Sequence, residues 1–230
     1  MAEGVRRGAG KRIVYNVGYI LVILATILLI VAFCSPYWYI SWPRVHSPFK
    51  RIGLWQVCFA GLILPRDPDQ KAYHGCWWTL APEFENIRSW MMPGWFVVNQ
   101  VVCSVGVFVQ LLNVIFCTIV WMKTRPSNKI EKNPPIKKIN IITITTVVSA
   151  IVFALDFISF GCCVYYDWHW MPHQHLNYLS WSYGLALLAT FFYIFASIAF
   201  CVYNNIIRRE MREAPKDIPA GIHLKDYPQY

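Results

Sequence analysis

Four long apolar stretches divide this chain. They run from Ile13 to Cys34, from Trp95 to Met122, from Ile139 to Tyr166 and from Tyr183 to Tyr203. A helix that crosses a bilayer needs about 20 mostly apolar residues, and each stretch reaches that length. The first stretch carries no charge, and the third carries a single acid, Asp156. The pattern predicts four transmembrane helices.

Polar residues are concentrated in the segments between these stretches. The residues before the first stretch include Arg6, Arg7, Lys11 and Arg12, and segment 123–138 carries six basic residues against one acid. The positive-inside rule therefore places both termini and this basic segment in the cytoplasm. The predicted division is a cytoplasmic N-terminus (1–12), transmembrane segments (13–34, 95–122, 139–166, 183–203), extracellular loops (35–94, 167–182), a basic cytoplasmic loop (123–138) and a cytoplasmic tail (204–230).

A cleaved signal peptide is the alternative interpretation of the first stretch. A basic lead precedes it, and Ala32-Phe33-Cys34 is a tolerable cleavage site. The apolar region of a signal peptide is only about 7–15 residues long, and this stretch is longer. We therefore interpret it as a retained first helix.

Composition supports one compact membrane domain. Hydrophobic residues make up 57% of the chain and charged residues 14%. The basic residues behind the net charge of +9 are concentrated in the predicted cytoplasmic segments, where the positive-inside rule accounts for them. We therefore expect attraction to anionic membrane lipids and no nucleic-acid binding. No arrangement of a nucleophile with a base is recognisable, and we expect neither enzymatic activity nor a cofactor.

The first outer loop contains two cysteines well away from the membrane, Cys58 and Cys76. The exterior of a cell is oxidising, so these cysteines are expected to form a disulfide. Strand-forming residues surround both of them, which predicts a β-hairpin with a long tip. The charged residues of this tip are candidates for intermolecular contacts or ion selectivity; they are Arg66, Asp67, Asp69 and Lys71.

The same loop carries a recognisable motif. It consists of a Trp above the first span, Gly-Leu-Trp-x-x-Cys, a second Cys and a basic residue before the second span. The matching residues are Trp38 (or Trp42), Gly53, Leu54, Trp55, Cys58, Cys76 and Arg88. This arrangement resembles the claudin superfamily, which includes peripheral myelin proteins, epithelial membrane proteins and calcium-channel gamma subunits.

The resemblance implies a fold. We expect a left-handed bundle of four transmembrane helices that carries a small extracellular antiparallel β-sheet, with the Trp and Leu of the motif anchoring the sheet at the membrane. Two departures stand out. The two cysteines are further apart than in vertebrate claudins, and the chain ends in Tyr230 rather than in Tyr-Val. Both suggest an invertebrate claudin-like protein, and the second puts binding of a cytoplasmic PDZ scaffold in doubt.

The second outer loop contains His169, His173 and His175. Histidines at this spacing could bind zinc, but Pro172 disrupts a helix that would align them and no cysteine completes the set. We expect no metal site. Solvated histidines in an intercellular contact are the preferred interpretation, and acid-sensitive adhesion is one consequence.

Three residues inside the spans need an explanation. Asp156 is expected to face the bundle and to form hydrogen bonds with side-chain amides of the second span, such as Gln100, or with Ser159, since a lone carboxyl without a basic partner makes a poor transport pathway. Cys117 and Cys201 lie near the inner ends of their spans and are candidates for palmitoylation.

The resemblance implies a cell-junction protein at lateral contacts of the plasma membrane, of the tight or septate type. It would associate with itself and with other claudin-like proteins, side by side and across the intercellular gap, and so form or regulate the paracellular barrier. The alternative is an auxiliary subunit that regulates a channel or receptor, as the gamma subunits do. A growth-related or myelin-like protein shares the same fold.

Overall fold

A computed structural model describes residues 2–65, 67–124 and 136–213 of the chain. Within these residues, four helices are long and apolar enough to cross a membrane. The chain is therefore a multi-pass membrane protein. The helices are α1 (Ala2–Cys34), α3 (Gly94–Thr124), α4 (Ile136–Tyr166) and α5 (Trp181–Glu213), with the short α2 (Arg88–Met91) before α3.

All four long helices continue past the predicted spans, and α1 and α5 do so by the most residues. The helix α1 begins at Ala2, and α5 runs to Glu213. Lipid thickness limits the apolar part of a helix, whereas its polar ends continue as long as the backbone can bond to itself. Proline marks two boundaries: Pro36 follows the end of α1, and the carbonyl of Pro93 accepts the hydrogen bond of Phe96 at the start of α3.

The helices pack as a four-helix bundle. The helix α1 packs mainly against α5, α5 also contacts α4, and α4 contacts α3. Small residues lie at these contacts, since Ala25, Ala186 and Ala196 are fully buried. Lipid supplies no hydrophobic force between helices, so close approach at small residues and polar contacts hold them together.

An antiparallel sheet of five strands lies at one end of the bundle, in the order β4-β3-β2-β1-β5. Four strands come from the first loop (residues 35–93) and one from the second loop (residues 167–180). The strands are β1 (Tyr39–Ser41), β2 (Phe49–Ile52), β3 (Gln56–Leu62), β4 (Tyr73–Trp78) and β5 (Asn177–Leu179). The predicted fold class, a four-span bundle with a small antiparallel sheet, is confirmed.

A 3-10 helix (Pro82–Ile87) packs against the sheet next to its β4 edge. The ring of Phe84 is fully buried and meets Phe59 of β3 and Tyr73 of β4, with centroids 5.9 and 5.6 Å away. Phe49 of β2 extends the same apolar layer. This apolar layer of the sheet is continuous with the buried core of the helix bundle.

Candidate functional site

The β3–β4 hairpin is stapled by a disulfide. Cys58 and Cys76 lie directly opposite each other in the strand register and are joined through their sulfur atoms, with Cα atoms 4.0 Å apart. The hairpin tip (residues 63–72) is thereby held to the rest of the sheet. The predicted disulfide and the predicted hairpin are both present.

Arg51 covers this disulfide, a contact that the sequence analysis did not assign. Its Nε donates to Sγ of Cys58 at 3.2 Å, and its Nη1 donates to the hydroxyl of Tyr37 at 2.7 Å. The guanidinium also lies 4.6 Å from the centroid of the Tyr37 ring. Arg51 of β2 lies directly opposite Cys58 of β3. Residues opposite each other on paired strands have neighbouring side chains, so pairing these two strands in the sequence could have predicted the contact.

The Gly-Leu-Trp motif forms the contact between the sheet and the bundle. Leu54 is fully buried, and its carbonyl accepts a hydrogen bond from the side chain of Gln100 in α3. The ring of Trp55 meets Phe33 of α1 edge-on at 5.3 Å. The motif residues thus contact two different helices, which holds the sheet on the bundle.

Trp38, rather than Trp42, is buried in the bundle. Trp38 is 1% exposed, and its indole N–H donates to the carbonyl of Ala32 at 2.7 Å. Its ring packs edge-on against Phe157 and Phe160 of α4. Trp42, in contrast, is 53% exposed. The sequence left open whether Trp38 or Trp42 is the tryptophan of the motif, and the packing favours Trp38.

Arg88, the basic residue of the motif, bonds to backbone carbonyls. Its Nη2 donates to Ala81 at 3.1 Å and to Leu80 at 3.3 Å. These bonds connect the segment after β4 with α2. Charged donors to carbonyls make strong hydrogen bonds, so Arg88 holds the local fold of the first loop.

Asp67 in the hairpin tip is not a surface charge, which corrects its place among the candidate selectivity residues. It is 2% exposed and accepts hydrogen bonds from the hydroxyl of Tyr73 at 2.8 Å and the amide of Asn86 at 3.2 Å. The bond from Tyr73 holds the pKa of the Asp67 carboxyl below its usual range. The sequence could not show that Asp67 is buried, because its partners Tyr73 and Asn86 come close to it only when the loop folds.

The other tip residues have different environments. Asp69 is exposed and accepts a hydrogen bond from Asn86 at 3.0 Å. Lys71 is exposed, with its ammonium 5.8 Å from the centroid of the Tyr73 ring. Arg66 lies outside the described residues. Asp69 and Lys71 remain candidates for contact or selectivity.

The second loop is tied to the first loop by tryptophans. The indole of Trp170 donates to the carbonyl of Met91 at 2.9 Å, and that of Trp90 donates to the carbonyl of His169 at 2.8 Å. Trp95 donates to the carboxylate of Asp167 at 3.0 Å. These three tryptophans therefore join separate parts of the chain.

The three histidines of the second loop are exposed. The rings of His173 and His175 lie 6.3 Å apart, and His173 has a left-handed backbone with φ of 52°. Among the described residues, no group of three or more metal-ligating side chains is close enough to hold an ion. His169, His173 and His175 are thus placed at the surface as candidates for contact with another molecule.

The residues inside the spans differ in part from the predictions. Cys117 is fully buried, so an acyl chain has no room there and the structure contradicts palmitoylation of this residue. Cys201 is partly exposed and remains a candidate for palmitoylation. The Asp156 carboxyl accepts a hydrogen bond from the side-chain amide of Asn99 at 2.8 Å, so its partner is an amide of the second span as predicted, at Asn99 rather than at the example Gln100. Ser159 donates to the backbone carbonyl of Asp156 rather than to its carboxyl.

A cleft of about 550 Å³ lies where the hairpin tip, the segment around α2 and the second loop meet. Leu64 and Ile87 supply apolar surface, Trp90 an aromatic ring, and Asp67 a carboxylate. The full lining is Leu64, Pro65, Asp67, Asn86, Ile87, Ser89, Trp90 and His169. The cleft is formed from three separate segments of the two loops.

Comparison with known proteins agrees with this architecture. The family model described as PMP-22/EMP/MP20/Claudin tight junction matches residues 23–202, which is more than half of the chain. No curated protein is similar enough to this chain to count as a match. The family is one of structural membrane proteins, and the match extends from α1 through the sheet and into α5. The chain belongs to the PMP-22/EMP/MP20/claudin family.

Proposed function

We propose that this protein forms or regulates a paracellular barrier at lateral cell–cell junctions. Its sheet would contact other copies, or other claudin-like proteins, side by side and across the intercellular gap. The observation that carries the proposal is the sheet itself. It is stapled by Cys58–Cys76 and joined to the second loop through β1 and β5, so it presents a fixed surface.

The proposed orientation places the sheet outside the cell and both termini inside. A disulfide persists in the oxidising exterior, and it lies at the sheet end of the bundle. The described basic residues Lys11, Arg12, Lys123, Lys137 and Lys138 lie at the helix ends away from the sheet, where the positive-inside rule expects them. The same orientation therefore satisfies the positive-inside rule and places the disulfide in the oxidising exterior.

The distribution of charge supports a contact surface. Exposed residues of both signs lie on the first loop, among them Arg44, Lys50, Glu83 and Glu85. A single-sign ring would favour an ion-selective pore, whereas mixed charges allow complementary contacts between copies. We therefore propose that the first loop serves mainly in contacts between copies and less in ion selectivity.

The test is removal of the protein from a polarised epithelium that expresses it. We expect transepithelial electrical resistance to fall and small uncharged solutes to leak, and re-expression of the wild-type chain to restore both. Unchanged resistance, with the protein absent by blot, would contradict the proposal.

The same cells test the auxiliary-subunit alternative. A continuous belt at lateral contacts supports the barrier role. Unchanged resistance, together with stoichiometric purification of a channel or receptor on the tagged protein, would establish the regulatory role instead.

A further inference from the structure

An arginine bridges α4 and α5 at the end of the bundle that lies away from the sheet. In α5, Nε of Arg208 donates to the side-chain oxygen of Asn204 at 3.3 Å. Its Nη2 donates to the side-chain oxygen of Asn140 in α4 at 3.1 Å. Arg208 is nevertheless exposed. A guanidinium has more N–H donors than these two bonds use, so donors are left for an anion.

The bond between Arg208 and Asn140 fixes which residues lie beside it. The helix α4 runs toward the sheet and α5 runs away from it. Residues three or four apart share one face of a helix, so Lys137 lies about one turn beyond Asn140, and Arg212 about one turn beyond Arg208, both away from the sheet. Lys137 and Arg212 are exposed. We call this set the basic groove; its residues are Lys137, Asn140, Asn204, Arg208 and Arg212.

The described residues do not neutralise the positive charge of the basic groove. Glu210, an acid of α5 at this end, is already paired with Lys11 of α1 at 3.2 Å. Within the part of the chain that the structure describes, Lys137, Arg208 and Arg212 form no ion pair. The first turn of α4 adds to the positive potential, because its N–H groups have no acceptor within the helix and the helix dipole is positive there. An anion bound in the groove would relieve this repulsion.

The basic groove continues into the lipid-facing surface of the bundle. On α4, Ile144 lies one turn from Asn140 in the direction of the sheet and is exposed. On α5, Cys201 lies two turns before Arg208 and is partly exposed. An acyl chain would therefore pass over these residues when its headgroup lies at Arg208. This continuity favours an anionic lipid over a soluble anion.

We propose that the basic groove binds the headgroup of a phosphoinositide, with an acyl chain of the lipid lying along α4 and α5. A phosphomonoester carries about two negative charges, so it matches three cations better than the single charge of phosphatidylserine does. Basic pockets between transmembrane helices are suited to such headgroups on the cytoplasmic side. The inference rests on the proposed orientation, which places this end of the bundle in the cytoplasm, where the anionic lipids of the membrane face.

The test is lipid binding by the full-length protein, purified in mild detergent. Native mass spectrometry measures the apparent Kd for dioctanoyl phosphatidylinositol bisphosphate, dioctanoyl phosphatidylserine and soluble inositol trisphosphate. We expect the first to bind at least about tenfold more tightly than the other two, because it alone offers both phosphomonoesters and acyl chains. Equal binding of phosphatidylserine would overturn the choice of headgroup, and equal binding of inositol trisphosphate would overturn the choice of a lipid.

Substitutions test the assigned residues. Arg208→Gln, Arg212→Gln and Lys137→Gln should each weaken binding of phosphatidylinositol bisphosphate by about fivefold, because each removes one charge beside the headgroup. Lys123→Gln is the matched control: it removes an exposed cation at the same end of the bundle, on α3, and should change the Kd by less than about twofold. An equal loss in Lys123→Gln, or wild-type binding by the other three variants, would overturn the site.

Asn140→Ala separates an ordered site from diffuse attraction. This change keeps every charge but releases the Arg208 guanidinium from α4, so more side-chain freedom is lost when the lipid binds. We expect binding about threefold weaker than that of the wild type, with an unchanged unfolding temperature in detergent. Wild-type binding by Asn140→Ala would show that charge density alone attracts the lipid and would overturn the assigned groove.

The outcomes are distinguishable from those of the proposed function. Binding in detergent does not depend on a cell junction, so unchanged transepithelial resistance would contradict the barrier role and leave the lipid site standing. Antibody access to a C-terminal tag on intact cells tests the orientation. A labelled tag would put the basic groove outside the cell and would overturn a phosphoinositide as its ligand, whatever the affinity in detergent.

Discussion

Gly53 occupies the closest approach between the sheet and the bundle. A Cβ atom at this position would lie 2.3 Å from the carbonyl oxygen of Ser35 and 2.5 Å from Cα of Pro36. Both are backbone atoms at the end of α1 and cannot rotate away. The glycine of the motif is therefore explained by sterics, and the neighbouring Leu54 and Trp55 can reach the helices only because the chain passes this close.

Gly53→Ala tests this explanation. We expect a loss of about 1–3 kcal/mol in the free energy of unfolding, because the backbone must shift to admit the methyl group. Gly184→Ala is the matched control, since a Cβ there meets nothing within 4 Å and alanine favours a helix. Unfolding of the purified protein in detergent measures both, and an equal effect of the two substitutions would contradict the steric argument.

The β3–β4 hairpin shows what could be predicted at the level of an element. Strand-forming residues around two cysteines identified it, and the cysteines are paired in register. The strands β1, β2 and β5 were not individually predictable. They are three or four residues long, and each is stabilised by its neighbours rather than by its own sequence pattern.

Replacing Cys58 and Cys76 together with serine should loosen this element. The chain-entropy estimate for the loop they close is about 3 kcal/mol, so amides of β3 and β4 should exchange faster by up to about a hundredfold. Hydrogen exchange read by mass spectrometry locates the change. The helices should keep their protection, as should all segments in a Cys162→Ser control, which removes an exposed free cysteine. Unaltered exchange in the hairpin would show that Arg51 and the strand ladder suffice.

At the scale of the whole molecule, Trp170 joins parts that are far apart in the sequence. It is 2% exposed, stacks on Tyr39 of β1 with centroids 5.5 Å apart, and meets Trp95 of α3 at 4.7 Å. The sheet, the second loop and the bundle therefore share one aromatic contact. This makes the loop end of the protein a single packed unit rather than two independent loops.

Trp170→Ala should disrupt that unit. We expect the free energy of unfolding to fall by about 3–5 kcal/mol, as for other buried aromatic residues replaced by alanine. Proteolysis in both loops should become faster. Trp168→Ala is the matched control: it removes a tryptophan two residues away that is 76% exposed, and little change is expected. Limited proteolysis with thermal unfolding measures both variants. Similar sensitivity of the two variants would mean that the loops do not depend on this contact.

The sequence by itself determined the four spans, the sides of the membrane that we propose for them, the disulfide and the family motif. These depend on apolar length, charge placement and cysteine position, which are local properties of the chain. Only the tertiary structure decided that Trp38 is buried while Trp42 is exposed, that Asp67 turns inward, that Cys117 is enclosed and that Asn99 bonds to Asp156. It also formed the cleft between the two loops. Such features depend on which distant residues meet, and a pattern along one chain carries no distance between them.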